Sequence, residues 1–148
     1  MDTVQQVWDR VLAPARPGVR GLGTLLAGAE GRRRAYRRWL TGAQGVRRQL
    51  LQELEGQEAR TVQALGGMLA LTREGRSLEA VKTPGSLEQC FRESTRAAGE
   101  YTALWGDPEL GGAFQTLAEM ERAQGVRILR LLGMENEKNG QLRYGLRP

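Results

Sequence analysis

Apolar residues along the chain recur every three or four positions, which is the spacing of one face of an α-helix. Glycine and proline interrupt this pattern at intervals, and no segment shows the alternation of apolar and polar residues that a half-buried strand would have. The pattern therefore predicts an all-α protein with a short leading helix and four longer helices. The long helices are expected at about residues 23–40, 41–75, 86–106 and 107–133.

Signals for helix starts support these boundaries. Pairs of residues with the spacing of a capping box are Asp2 with Gln5, Thr41 with Gln44, and Ser86 with Gln89. Asp107 followed by Pro108 predicts the start of the fourth long helix, because an aspartate oxygen caps the first turn and proline presets its φ angle. Pro14 and Pro17 are expected to end the short leading helix.

The lengths of the connections predict how the helices are arranged. The links within the first and second pairs of long helices are short, whereas residues 75–85 form a connector long enough to cross the end of a bundle. This order of hairpin, crossover and hairpin is typical of a four-helix bundle with one long crossover. We therefore divide the chain into a short N-terminal helix and loop (1–21), a four-helix bundle (22–133) and a C-terminal tail (134–148).

Polar residues interrupt the apolar seam of two predicted helices at matching places. The second long helix has Glu58 and Thr61 in the middle of its inward series, and the fourth has Glu121 and Gln124 there. An offset of 63 residues superimposes the two pairs, together with the apolar residues on either side. The chain thus contains an internal repeat of two helical hairpins.

The same offset relates charged residues of the first and third long helices. It places Glu30 on Glu93 and Arg33 on Arg96. Since a buried carboxylate without a partner costs several kcal/mol, carboxylates in the seam require a cation, protons or arginines. Arg33 and Arg96 are the candidate arginines, because each follows an outer glutamate by about one helical turn.

With these carboxylates, the chain resembles the ferritin-like superfamily, in particular the rubrerythrin-related bundles that have a short leading helix. The resemblance covers about residues 22–133, and the segment from Phe114 to Glu121 is similar to that family's fourth helix. Members of the superfamily hold two iron or manganese ions between a glutamate from each of two helices and a Glu-x-x-His pair from each of the other two. The resemblance implies that the corresponding metal ligands here are Glu30, Glu58, Glu93 and Glu121.

Both histidine positions of that pattern are replaced, by Thr61 and Gln124, and the chain contains no histidine at all. Without imidazole ligands a di-iron redox centre is not expected. With both histidines replaced, the resemblance implies a degenerate ferritin-like bundle without cofactor that acts as a structural or interaction protein, and we expect a homodimer. The alternative is an oxygen-only site that holds Mn, Mg, Ca or Fe in a metal-binding, metal-storage or oxidoreductase protein of the same fold.

Composition excludes several classes of catalytic and structural site. The absence of histidine excludes Ser-His and Cys-His nucleophile pairs, and the single cysteine, Cys90, excludes an internal disulfide. No apolar run approaches the ~18 residues of a membrane helix, and the first residues lack the pattern of a signal peptide. We therefore expect a soluble, cytoplasmic protein with no membrane partner.

Two further features suggest binding partners. The net charge of +5 comes almost wholly from arginine, and the densest patch, Arg32 to Arg38, supports an alternative function as a module for nucleic acid or another polyanion. A solvated helix face is the preferred interpretation of that patch, since no nucleic-acid-binding motif accompanies it.

In the tail, Leu142, Tyr144 and Leu146 alternate with polar residues, which favours packing on the bundle or across a dimer, or docking on another protein.

Overall fold

The computed structural model of the protein describes residues 21–71 and 80–144, and it places side chains for residues 21–70 and 80–136. Four α-helices form the regular structure within these ranges. The helices are α1 (Leu22–Leu40), α2 (Gly45–Leu71), α3 (Leu87–Ala103) and α4 (Gly111–Tyr144). These two ranges contain no strand, so the predicted all-α architecture is confirmed. The predicted leading helix lies outside them. Among the described helices, none is long and apolar enough to cross a membrane.

The four helices pack around two apolar clusters. α1 packs mainly on α2 and α3 mainly on α4, while α2 also contacts α4 and the contacts between α1 and α3 are the sparsest of these pairs. The first cluster joins the starts of α1 and α4 to the ends of α2 and α3. The second joins the other halves of the same helices. Since Met68 belongs to the first cluster and Leu87 to the second, α2 ends and α3 begins at opposite ends of the bundle.

The turn between α1 and α2 differs from the prediction. Thr41 ends α1 instead of opening α2: it takes an extended conformation, and its backbone N–H donates to the carbonyl of Arg38 at 3.3 Å. Gly42 and Gly45 have positive φ angles of 81° and 61°, which favour glycine because a side chain there is strained. The chain therefore reverses over the residues that precede Gly45, and α2 starts later than the capping-box pattern indicates.

The predicted N-cap of α3 is present, whereas the aspartate predicted to cap α4 bonds within a turn that precedes the helix. The hydroxyl of Ser86 accepts the N–H of Gln89 at 3.1 Å, which confirms this residue as the N-cap of α3. One oxygen of Asp107 accepts the N–H groups of Glu109 at 3.0 Å and Leu110 at 2.9 Å. These bonds order a turn over residues 107–110, and α4 begins after it at Gly111, four residues later than predicted.

The fourth helix is longer than predicted. We expected it to end near Gly133 and a tail to begin at residue 134, but α4 continues to Tyr144. Gly133 is not among the glycines with positive φ, so it does not form the left-handed cap that would end the helix. An ion pair of 2.6 Å between Arg47 of α2 and Glu135 also attaches this extension to the bundle. The predicted end of this helix near Gly133 is therefore wrong.

The segment before α3 lies against α1. A Cβ atom built on Gly31 would clash with the carbonyl oxygen of Lys82 and would lie 3.6 Å from the ring of Pro84. Glycine at position 31 thus lets the backbone of residues 82–84 approach α1 closely. This contact positions the segment along the gap between α1 and α3.

Candidate functional site

A layer of buried polar side chains separates the two apolar clusters at mid-height. On α2, for example, Leu54 belongs to the second cluster and Leu65 to the first, and Glu58 and Thr61 lie between them. Each of the four helices contributes to this layer. Its buried members are Arg32, Glu58, Thr61, Ser94, Glu121 and Gln124.

The guanidinium of Arg32 is the centre of the layer. Its Nε donates to Glu58 Oε2 at 2.5 Å, and its Nη2 donates to Glu121 Oε1 at 3.3 Å. Its Nη1 lies 3.5 Å from Glu93 Oε1, in an ion pair with that carboxylate. The Arg32 side chain is only 3% exposed, so one buried cation joins carboxylates from three other helices.

Three of the four predicted metal ligands meet at this arginine. Glu58 and Glu121 are 0% and 1% exposed, as the interrupted seam predicts, and Glu93 lies at the edge of the layer with 30% exposure. Glu30 is half-buried and forms no ion pair with the described residues. It precedes Arg32 by two positions, which is about 200° around an α-helix, so the two side chains face different directions.

The arginines predicted to neutralise the carboxylates are the wrong ones. Arg33 is 35% exposed and donates from Nε to Glu55 at 2.9 Å, and Arg96 is exposed. The 63-residue offset led to Arg33, whereas the spacing of Ala29, Arg32 and Tyr36 follows the inward face of α1. Arg32 would have been found by continuing the series of inward-facing residues of α1 through a position that holds a charged residue.

The two residues at the histidine positions use their polar atoms elsewhere. The hydroxyl of Thr61 donates to the carbonyl of Gln57 at 3.3 Å, within its own helix. The side-chain N–H of Gln124 donates to the carbonyl of Leu54 at 3.0 Å, and its oxygen accepts from Arg127 at 3.3 Å. Gln124 therefore stabilises the contact between α4 and α2.

The buried charges of the layer do not cancel if every group is ionised. Arg32 supplies one positive charge, whereas Glu58 and Glu121 supply two negative charges in the same water-excluded volume. Burial, together with the nearby negative charge of Glu121, holds the pKa of Glu58 well above its usual range despite the opposing effect of Arg32. A single proton on this pair makes the buried trio neutral.

Two carboxylate oxygens are well suited to share that proton. Within the described residues, Glu58 Oε1 and Glu121 Oε2 are buried without a hydrogen-bond donor. The other oxygen of each carboxyl group accepts from Arg32, so the two groups lie on one guanidinium. A protonated carboxyl group donates one hydrogen bond, so protonation of Glu58 adds a donor where both unpaired oxygens lack one.

Other groups near the layer are held in their neutral forms. Burial raises the pKa of Tyr36 and of Tyr101 above the usual range of a phenol, and both hydroxyls lie buried without a partner among the described residues. Burial also raises the pKa of the Cys90 thiol to about 12. A thiol with such a pKa has almost no nucleophilic thiolate at neutral pH. The layer therefore contains no activated nucleophile in the part of the chain that the structure describes.

The arginine patch on α1 is less available to a polyanion than its sequence indicates. Arg32 is buried, and Arg33 and Arg37 both donate to Glu55, at 2.9 and 3.1 Å. Arg34 and Arg38 are exposed and form no ion pair within the described ranges. Two of the five arginines between positions 32 and 38 thus remain open to a partner.

Comparisons with known proteins add no further assignment. Within the described residues, no group of three or more His, Cys, Asp or Glu side chains has a geometry that could hold a metal ion. No protein-family model, no curated protein and no solved structure matches this chain.

Proposed function

We propose that this protein is a degenerate ferritin-like bundle, related to the rubrerythrins, in which an internal arginine takes the place of a metal centre. In this proposal it acts as a structural or interaction protein and not as a di-iron oxidoreductase. The observation that carries the proposal is the contact of the Arg32 guanidinium with Glu58, Glu93 and Glu121.

The chemistry of the guanidinium supports this proposal. Arginine remains protonated at every physiological pH, and its planar group donates to several carboxylates at once. The same three carboxylates would be needed to bind a divalent cation, and a cation entering between them would meet the repulsion of Arg32. The guanidinium has no accessible oxidation states, so the cluster it completes cannot supply redox chemistry.

The arrangement of the helices also supports the ferritin-like interpretation. The end of α2 and the start of α3 lie in different apolar clusters, as one long crossover between two hairpins requires. The 63-residue repeat relates Glu58 to Glu121 and Thr61 to Gln124, and all four side chains are buried in one layer. A repeat of two hairpins around paired carboxylates is the general design of a di-metal bundle.

Metal analysis tests the proposal directly. We expect wild-type protein, purified without chelator and then incubated with Mn²⁺, Fe²⁺ or Mg²⁺, to retain substoichiometric metal after gel filtration. Arg32→Leu should retain more than wild type, whereas Arg33→Leu, which alters a half-exposed arginine on the same helix, should behave as wild type. One or more tightly bound metal ions per wild-type chain would refute the proposal, whether or not Arg32→Leu folds.

The same measurement covers the alternative of an oxygen-only metal site. This alternative is favoured by the excess of carboxylates over guanidinium groups in the layer and by the unpaired oxygens of Glu58 and Glu121. In that case Mn²⁺, Mg²⁺, Ca²⁺ or Fe²⁺ would take the position that we assign to a proton. Stoichiometric metal lost on Glu58→Gln would identify this second function.

The expected homodimer stays a prediction, which sedimentation equilibrium measures. Two exposed apolar side chains on α4, Val126 at 68% and Leu129 at 52%, are the positions at which aspartate should lower the oligomeric mass if α4 forms the interface.

A further inference from the structure

A groove of about 570 Å³ lies between α1 and α3 and leads from the surface to the central arginine. The two helices that flank it contact each other less than α1 contacts α2, α3 contacts α4 or α2 contacts α4. Arg32 and Glu93, which form the longest of the three contacts in the arginine cluster, both line it. A groove of this volume is in the range of small-molecule binding sites.

Gly28 opens the groove toward one nitrogen of Arg32. A Cβ atom on Gly28 would lie 3.2 Å from Arg32 Nη1, and Gly28 itself lines the groove. The other two nitrogens of the guanidinium donate to the fully buried carboxylates of Glu58 and Glu121. Nη1 is therefore the donor that is left for a ligand, in competition with Glu93.

The walls of the groove combine positive charge with apolar surface. Lys82 and Arg96 add two cationic side chains, Glu100 adds one carboxylate, and Leu25 and Ala97 add apolar surface. We propose that this groove binds a small organic monocarboxylate, with its carboxylate on Arg32 Nη1 in place of Glu93 and its apolar body on α1 and α3.

Charge explains the choice of a monoanion. Three cationic side chains line the groove against the two carboxylates of Glu93 and Glu100, so the net positive charge of the lining disfavours a cationic ligand. A dianion such as inorganic phosphate would bring a second negative charge close to the buried carboxylates of Glu58 and Glu121, which already share one cation. One negative charge replaces that of Glu93 at Nη1 without changing the balance of the layer.

Titration of the full chain with four probes tests this inference. We expect saturable chemical-shift changes at α1 and α3 with hexanoate, and none with hexylammonium, hexanamide or inorganic phosphate at the same concentrations. No saturable binding of hexanoate would overturn the inference. Equal binding of hexanamide would overturn it as well, because it would show that the carboxylate contributes nothing.

The variant Glu93→Gln should change the affinity for an anionic ligand and for a cationic ligand in opposite directions. Since Glu93 competes for Arg32 Nη1, its replacement should tighten hexanoate binding by roughly threefold to tenfold. The same change would weaken a cationic ligand, because it removes a negative charge from the groove. Weaker or unchanged hexanoate binding in Glu93→Gln would therefore contradict the assigned position of the carboxylate.

Filling the gap at Gly28 provides a matched pair of variants. Gly28→Leu should weaken hexanoate binding at least about tenfold, since the new side chain would cover Nη1. Gly99→Leu is the control, because position 99 is an exposed helical glycine of α3 at which a Cβ atom would meet no other side chain within 4 Å. Equal affinities in the two variants would place hexanoate outside the groove. If Gly28→Leu fails to fold, Gly28→Ala and Glu93→Gln still decide the question.

Discussion

The two pairs of helices contribute to the polar layer in different ways. α2 and α4 obey the 63-residue repeat, since Glu58 matches Glu121 and both are buried. α1 and α3 do not, because Arg32 of α1 is buried at the centre of the layer, whereas α3 contributes the half-buried Glu93 and the hydroxyl of Ser94. A symmetric pair of carboxylates thus shares a single cation that has no counterpart in the repeat. The difference shows that the repeat places the buried negative charges and that one helix alone supplies the buried cation.

Removing the asymmetric cation should have the largest effect. Arg32→Leu leaves Glu58 and Glu121 buried without a positive charge and should lower the free energy of unfolding by about 3–5 kcal/mol. Arg33→Leu on the same helix should cost less than about 1 kcal/mol, because its ion pair with Glu55 is partly exposed to solvent. Urea denaturation followed by circular dichroism measures both values. Similar losses in the two variants would contradict a special role for Arg32.

The sequence predicted the buried carboxylates of α2 and α4, but it did not predict which arginine of α1 lies between them. Burial of Glu58 and Glu121 follows from the helical period, because a polar residue within an apolar series has to face the core wherever the helix packs. Which cation neutralises them depends on contacts between helices distant in sequence, and the offset that worked for α2 and α4 selected Arg33 in place of Arg32. The register of α1 relative to α3 is set by packing, which the repeat does not encode.

Helix boundaries likewise divide into those that the local sequence determines and those that depend on contacts with distant residues. Ser86 caps α3 and Asp107 orders the turn before α4, because in each case a side-chain oxygen bonds to a backbone N–H group only a few residues ahead, so the local sequence is sufficient. Gly133 was expected to end α4, yet a glycine stops a helix only when the chain after it turns away. Arg47 and Glu135 are 88 positions apart in sequence, and the hydrogen bond between them supports the continuing helix.

A pH experiment on Glu58 tests whether the carboxylate pair of α2 and α4 holds a proton. Its pKa is raised in the folded protein, so protonation stabilises the fold, and this contribution is complete below the ordinary glutamate pKa of 4.5 and is lost as pH rises through the raised pKa. Glu58→Gln resembles the protonated form at every pH. We therefore expect the variant to become more stable relative to wild type as pH rises from 5 to 9.

Urea midpoints at several pH values measure this difference, and the double variant Glu58→Gln/Glu121→Gln provides the control. The double variant leaves Arg32 without a fully buried counter-ion, so it should be less stable than either single variant throughout the range. A gap between Glu58→Gln and wild type that stays constant with pH would show that Glu58 is ionised in the folded protein. The proton would then have to be removed from our account of the layer.

The smallest expected effect concerns the hydroxyl that α3 contributes. Ser94 Oγ is fully buried and has no hydrogen-bond partner in the described part of the chain, whereas the hydroxyl of Thr61 on α2 donates to the carbonyl of Gln57. Ser94→Ala removes an unpaired polar atom at nearly constant volume and should leave stability unchanged or raise it by up to about 1 kcal/mol. Thr61→Val, which also preserves volume, removes a bonded hydroxyl and should lower stability by about 0.5–1 kcal/mol. Thermal unfolding of both variants compares the two hydroxyls, and a loss at Ser94 as large as that at Thr61 would mean that Ser94 is bonded within the layer, so that α3 would take part in balancing the charges alongside α1.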